Sequence, residues 1–546
     1  MSALAIPRLV VPRSVRERLS GRVVVIAAIV VVTAVTHGVN MLDYPYLEAD
    51  EGTYFSQAWS VLHEWSLSPY TYFYDHAPLG WIQMALWQLV TGDARLDTAL
   101  DSGRVFMLVL QLCSTVLVYL IGRRLAGRHW IALLAVAAFV LSAYGIHYHR
   151  RVLLDNVVTL WILLSLWLLV RHGGLRQIWL SAVAMGIAVL TKEIALAFVL
   201  PFAVLVLRLA PREGRGFAVV GWSAITASVI SVYPLMALLK GELFPAGSAL
   251  GGSGPHVSLL CSLGWQSSRS SDGGLLDGSS QFWGAASSWA HQEPLLVIGG
   301  TLYALVAVTA FRRHIVLSML GWMVLGFWLF IGRGGVVLDF YLVPLLPLLA
   351  LTLALGVEHA LVDLRRLAPR RAVRPLVRVL AASAVVGCVA MITLAYSRSS
   401  DDLWTAQPVK GQLEALAWIH DNVPHDSRMI IDMSMWMDLQ VPSSGREAFA
   451  RAHYYWRVGQ DPALRRSAFN DSWRSTDYVI ATPQLISDTK LNRFPIVAEA
   501  LENSTIVKRF DTGWPIEVRR VNAAAPDVPL AHEKQEESTG CMSTEV

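Results

Sequence analysis

The fold class predicted is a polytopic α-helical membrane protein with a small α/β unit at its carboxy terminus, on three observations. Of 546 residues, 54% are hydrophobic and only 16% charged, where a soluble globular protein carries about 25% charge. Apolar runs long enough to cross a bilayer recur up to residue 396 and then stop. Beyond residue 397 the pattern changes to short alternating units. The four cysteines (Cys113, Cys261, Cys388, Cys541) are widely scattered without metal-ligand spacing, so no disulfide framework is expected.

The elements follow in order. The first span, 23–41, comes after Arg13, Arg16, Arg18 and Arg22 and lacks a small-residue cleavage site, which reads as a retained signal anchor. Further spans fall at 104–121, 130–147, 156–170, 177–192, 195–210, 217–238, 294–311, 314–331, 338–356 and 377–396, about eleven in all. Leu79–Val90 is too short to cross and is expected to lie at the interface, where Trp81 and Trp87 suit the depth. With the amino terminus inside, twenty-one Lys/Arg fall on the inner side and eight on the outer side up to residue 396. That asymmetry fixes the expected sidedness. Loops 42–103 and 239–293 then face outward, as does everything after the last span.

Residues 1–396 are thus expected to form the membrane domain and 397–521 an extracytoplasmic α/β domain. In the latter, Lys410–Asn422 reads as an amphipathic helix, and Arg428–Asp432, Asp477–Ala481 and Ile516–Val521 as strands. Residues 522–546 are polar and acidic and are expected to be disordered.

Asp50 and Glu51 lie just past the first span. Carboxylates at a bilayer boundary are costly to desolvate and are kept mainly where water, a cation or a reaction needs them. Asp is also a favoured helix N-cap, a second reading of Asp50.

Five short segments occur in an order that resembles the GT-C glycosyltransferases, in particular the protein O-mannosyltransferases and the bacterial aminoarabinose transferases. They are Tyr46-Leu47-Glu48-Ala49-Asp50-Glu51-Gly52-Thr53-Tyr54, Tyr74-Asp75-His76-Ala77-Pro78-Leu79, Leu153-Leu154-Asp155, Leu190-Thr191-Lys192 and Tyr341-Leu342-Val343-Pro344-Leu345-Leu346-Pro347. The resemblance spans residues 23–360, and Ala77 stands where proline is more usual.

The resemblance implies a GT-C-like fold and a polyprenyl-monophosphate sugar donor. It also implies transfer with inversion to an acceptor hydroxyl at the outer face of a bacterial plasma membrane. Attack by a hydroxyl needs a base, for which Asp50 is the candidate. Glu51 is grouped with it as catalytic, with holding the loop through backbone N–H groups as its other reading. The departing lipid phosphate calls for fixed cations. His76, Arg150, Arg151, Lys192 and Arg333 are the candidates, with Asp155 orienting them and Tyr341 in the same donor site; for the arginines, snorkelling to headgroups is the alternative. Asp75 with His256 forms the candidate pair for a divalent metal ion. Expected partners are the donor, membrane lipid and a glycan, protein or lipid acceptor, with no nucleic acid. The rivals are a flippase or transporter of lipid-linked glycans and a non-catalytic membrane protein that binds cell wall.

Overall fold

The computed structural model describes residues 13–92, 97–171, 174–252, 256–268, 273–367, 402–441, 446–492 and 494–525, with isolated positions between 368 and 401. The expected span 377–396 falls almost wholly outside them, as does the tail from residue 526.

Helix α1 (Arg13–Gly38) leads into a long loop that carries α2 (Ala49–His63) and α3 (Leu79–Thr91). Then come α4 (Asp101–Ala126), α5 (His129–Val140), α6 (Ala143–His149), α7 (Leu154–Val170), α8 (Leu175–Thr191), α9 (Leu196–Leu209) and α10 (Arg215–Leu239). A second long loop carries α11 (Leu259–Ser268) and α12 (Gln281–Gln292), and α13 (Gly300–Val308), α14 (Ile315–Ile331) and α15 (Leu346–Leu367) complete the bundle. Each of the ten predicted spans up to residue 356 therefore corresponds to helix. Gly21–Gly38, Asp101–Ala126, Arg212–Leu239 and Asp339–Asp363 are long and apolar enough to cross a membrane as they stand. The chain is a multi-pass membrane protein.

The predicted span 130–147 is not one helix. It breaks into α5 and α6 at a 63° bend. Ser142 caps α6 by accepting the Gly145 N–H at 2.8 Å, so the chain restarts there. The bundle core is apolar on all sides, with Ile121, Phe139, Leu163, Leu166 and Met185 buried and Phe198 stacked on Phe327 at 5.5 Å. Val23, Val24, Val31 and Val32 on α1, and Phe217 and Val220 on α10, stay exposed. Such an outward apolar stripe suits lipid rather than water.

Residues 402–525 form a unit around a five-stranded sheet in the order β2-β1-β3-β5-β4. The strands are β1 (Met429–Ile431), β2 (Ala452–Tyr454), β3 (Tyr478–Ala481), β4 (Ser504–Phe510) and β5 (Ile516–Val521). β1 pairs parallel with β2 and β3, while β5 runs antiparallel to β3 and β4. The predicted strands at 428–432, 477–481 and 516–521 coincide with β1, β3 and β5, and the predicted helix with Val409–Asn422. β2 has only three residues, and β4 is an edge strand exposed on both faces. Neither carries the apolar alternation that reveals a strand. Cys261 is disulfide-bonded, contrary to expectation, and Cys113 is free.

This unit is bolted to the first loop. Gln412 holds the Leu47 backbone from both sides, accepting its N–H at 2.9 Å and donating to its carbonyl at 3.0 Å. Asp438 accepts the Ala99 N–H at 2.8 Å, and Trp514 stacks on Tyr46 at 3.8 Å. Gly52 faces the Met433 carbonyl so closely that a Cβ would collide with it.

Candidate active site

Helix α2 starts at Ala49, and this start sets the first carboxylate free. Glu48, not Asp50, is the N-cap, and a Glu51 oxygen accepts the Glu48 N–H at 3.3 Å. Glu51 is fully buried, doubly bonded to Arg104 (2.9 and 3.2 Å) and accepting the Val152 N–H at 3.0 Å. Arg104 in turn donates to the carbonyls of Met41, Leu42 and Tyr46, which fixes the path of the loop. Glu51 does not line the cavity and is not placed for catalysis, which corrects its grouping with Asp50.

Asp50, one residue earlier, points into a cavity of about 330 Å³. Among the described residues its carboxylate has no hydrogen-bond or ion-pair partner. Burial raises its pKa above the ordinary carboxylate value, while the charges of Lys192 and His76 pull the other way. Lys192 reaches the same cavity because α8 ends at Thr191 and the chain turns extended (φ −158°, ψ 133°) before a short 3-10 turn and α9. Its Nζ lies 2.6 Å from Asp155 Oδ2, and 4.7 and 4.9 Å from the Phe340 and Tyr341 ring centres. Asp155 is fully buried behind it and orients the ammonium rather than lining the cavity. Tyr341 does line it, where a 3-10 turn (Asp339–Leu345) opens into α15.

His76 also faces the cavity, and its Nδ1 sits 2.9 Å from Glu193. Glu193 accepts the Ala77 N–H at 2.6 Å as well, so one carboxylate fixes this turn. Burial would raise the Glu193 pKa, but His76 and these hydrogen bonds hold it below the ordinary value. Trp81, expected at the membrane interface, is buried and lines the cavity instead.

Three expected cations stand elsewhere. Arg150 is buried and donates to the carbonyls of Thr36, His37, Val39 and Leu403. The last carbonyls of a helix lack partners inside it, and Arg150 supplies them for α1. Arg151 pairs with Glu48 and covers the Tyr46 ring at 4.6 Å; only Glu48 of this pair reaches the cavity. Arg333 is exposed, donates to the Phe330 carbonyl at 3.0 Å and lies over the Phe330 ring. Its loop is drawn away because the Leu275 N–H bonds the Gly332 carbonyl at 2.9 Å. None of the three lines the cavity.

The metal pair does not assemble as a ligand set. Asp75 lines the cavity, but its carboxylate meets Arg457 at 3.2 Å. His256 bonds the Phe244 carbonyl at 3.0 Å and does not line the cavity. Among the described residues no three His, Cys, Asp or Glu side chains form a metal-holding group.

Sequence reasoning missed the far wall. Tyr454, Trp456, Arg457, Gln460, Gln484 and Asp488 of the carboxy-terminal unit close the cavity over α2. Arg457 also covers the Phe73 ring at 4.1 Å. No local signal marks these residues, since they reach Asp75 and Ser56 across more than 380 positions.

A family model described as dolichyl-phosphate-mannose-protein mannosyltransferase matches residues 79–212. No curated protein matches the chain significantly by sequence. Among solved structures, ArnT from Cupriavidus metallidurans bound to undecaprenyl phosphate is similar at 15% identity, with a TM-score of 0.56 over 93% of this chain and 100% of that one. The apo oligosaccharyltransferase of Archaeoglobus fulgidus is similar at 12% identity, with a TM-score of 0.54 over 93% of this chain and 75% of that one. The Archaeoglobus fulgidus AglB in complex with an inhibitory peptide and a dolichol-phosphate gives 12% identity and a TM-score of 0.51, over 92% of this chain and 75% of that one. At these identities the likeness is one of fold.

Proposed function

We propose that this protein transfers a sugar from a polyprenyl-monophosphate donor to an acceptor hydroxyl at the outer face of a plasma membrane. One observation carries the reading: Asp50, a carboxylate without a partner among the described residues, shares a cavity with Lys192 and His76, in a fold of the GT-C type. The fold likeness to a protein bound to undecaprenyl phosphate, and the mannosyltransferase family match, support the donor class.

In this mechanism Asp50 takes the proton of the acceptor hydroxyl as its oxygen attacks the anomeric carbon. The bond from that carbon to the phosphate oxygen breaks, and its electron pair leaves with the lipid phosphate. Attack on the face opposite the leaving group inverts the anomeric centre. Lys192, held by Asp155, and His76, held by Glu193, stabilise the charge that grows on the phosphate. The held geometry matters because pre-oriented charges need not reorganise during the reaction. The Lys/Arg asymmetry supports an amino terminus in the cytoplasm and a cavity on the outer side.

The test uses purified protein, a radiolabelled polyprenyl-monophosphate sugar, and a detergent extract of the host cell envelope as the source of acceptor hydroxyls. The wild type should consume donor and release polyprenyl phosphate. Asp50→Asn should lose about 10²–10⁴-fold of that turnover while still binding the lipid. Near-normal turnover in Asp50→Asn removes the base assignment. The chain break at Lys192 is also what a transporter site shows; a transporter moves the donor across vesicles without cleaving it, so the same assay separates the two.

A further inference from the structure

We propose that the carboxy-terminal unit carries a saccharide subsite of this cavity, built from Trp456, Gln460, Gln484 and Asp488, with Nη1 of Arg457 as a further donor. The subsite rests on the glycosyl-transfer reading and gives it a recognition surface. Trp456, Arg457 and Gln460 come from the short helix Tyr455–Gln460 that follows β2. Gln484 and Asp488 come from the helix Pro483–Asn492, four residues apart and so on one face.

Their hydrogen-bonding state is the informative part. Gln460 and Gln484 are both half-buried, and among the described residues neither side chain has a partner. Arg457 is 4% exposed and uses Nη2 on Asp75, while its Nη1 is buried with no hydrogen-bond partner among the described residues. Leaving a buried polar group unpaired is costly, so such groups are kept where a ligand satisfies them. Asp488 is held in place by the Tyr455 hydroxyl at 2.6 Å.

The chemistry selects the ligand class. A carboxamide both donates and accepts, which matches a hydroxyl that does the same, and a carboxylate accepts from adjacent hydroxyls. An indole such as that of Trp456, which lines the cavity, is a residue type whose apolar ring suits the C–H side of a sugar ring. Two carboxylates, Asp488 and the Asp75 that pairs with Arg457, offset the guanidinium on this wall, which makes it a poorer site for a phosphate than for a neutral polar ligand. A purely apolar ligand would leave both amides unsatisfied. The hydroxyls of a sugar ring match both amides and Nη1 of Arg457.

The experiment uses the full-length protein in lipid nanodiscs and a panel of methyl hexopyranosides and methyl pentofuranosides, read by saturation-transfer NMR. At least one glycoside should bind the wild type, and Gln460→Ala/Gln484→Ala should weaken it tenfold or more. Thermal stability and binding of unglycosylated polyprenyl monophosphate should not change in that variant. Displacement of the glycoside by the sugar-loaded donor, but not by bare polyprenyl phosphate, assigns the subsite to the donor's sugar. Persistence beside the loaded donor assigns it to a sugar on the acceptor. No binding to the wild type, equal binding by the variant, or displacement by a serine- and threonine-containing peptide overturns the proposal. Donor turnover is followed in the same preparation. Absence of turnover in the wild type removes the glycosyl-transfer reading, whereas turnover with unaltered glycoside binding in the variant removes the subsite alone.

Discussion

Asp50 and Glu51 are neighbours of the same charge, and their surroundings give them opposite duties. Glu51 is enclosed by Arg104 and the Val152 N–H, so Glu51→Gln leaves a guanidinium buried without its counter-charge. Breaking a buried pair on one side costs about 3–5 kcal/mol, and thermal unfolding should show that loss. Asp50→Asn removes a desolvated charge that has no partner among the described residues, so its midpoint should stay level or rise while turnover collapses. The pH profile follows from the same surroundings. Asp50 accepts a proton only when ionised, so turnover should rise with pH through a pKa held above the ordinary carboxylate range. His76 pulls that pKa down, and His76→Asn should therefore move the acid limb to higher pH. The Asp-Glu pair was legible in the sequence as a feature, but which carboxylate faces the cavity was not. That choice depends on Arg104, which is 53 positions away.

Among the elements, breaks matter more than spans. Lys192 enters the cavity because α8 stops one residue before it, and α2 delivers Asp50 because Glu48 takes the cap. Gly52 lets α2 lie directly on the turn at Met433. Gly52→Ala should force the two apart, lowering the free energy of unfolding by about 1–3 kcal/mol in a denaturation experiment and reducing turnover, although no side chain of the site is touched. The misplaced arginines belong to this scale too. Arg150 and Arg333 have the charge a phosphate needs, but helix-end carbonyls and an aromatic ring engage them first. Sequence position near a span boundary shows that a cation is available, and the neighbouring backbone decides what it meets.

At the scale of the molecule, the cavity is a joint product of the membrane bundle and the carboxy-terminal unit. Asp50, His76, Lys192 and Tyr341 come from the first, and Tyr454, Trp456, Arg457, Gln484 and Asp488 from the second. A chain lacking 402–525 keeps the whole proposed catalytic set yet loses a wall of its site. Its donor turnover should fall to background even if the protein inserts normally, as comparison of membrane fractions with full-length protein would show.

Sequence alone determined what neighbouring residues determine: apolar runs of bilayer length, three of the five strands, and the ordered segments around Asp50, His76, Asp155, Lys192 and Tyr341. Hydropathy and alternation are local properties, so they survive reading along a line. Tertiary structure decided the separation of Asp50 from Glu51, the removal of Arg150, Arg151 and Arg333 from the cavity, and the arrival of Arg457 beside Asp75. Each of these turns on hydrogen bonds and charge pairs between residues remote in the chain, whose energies exist only once folding has brought them together.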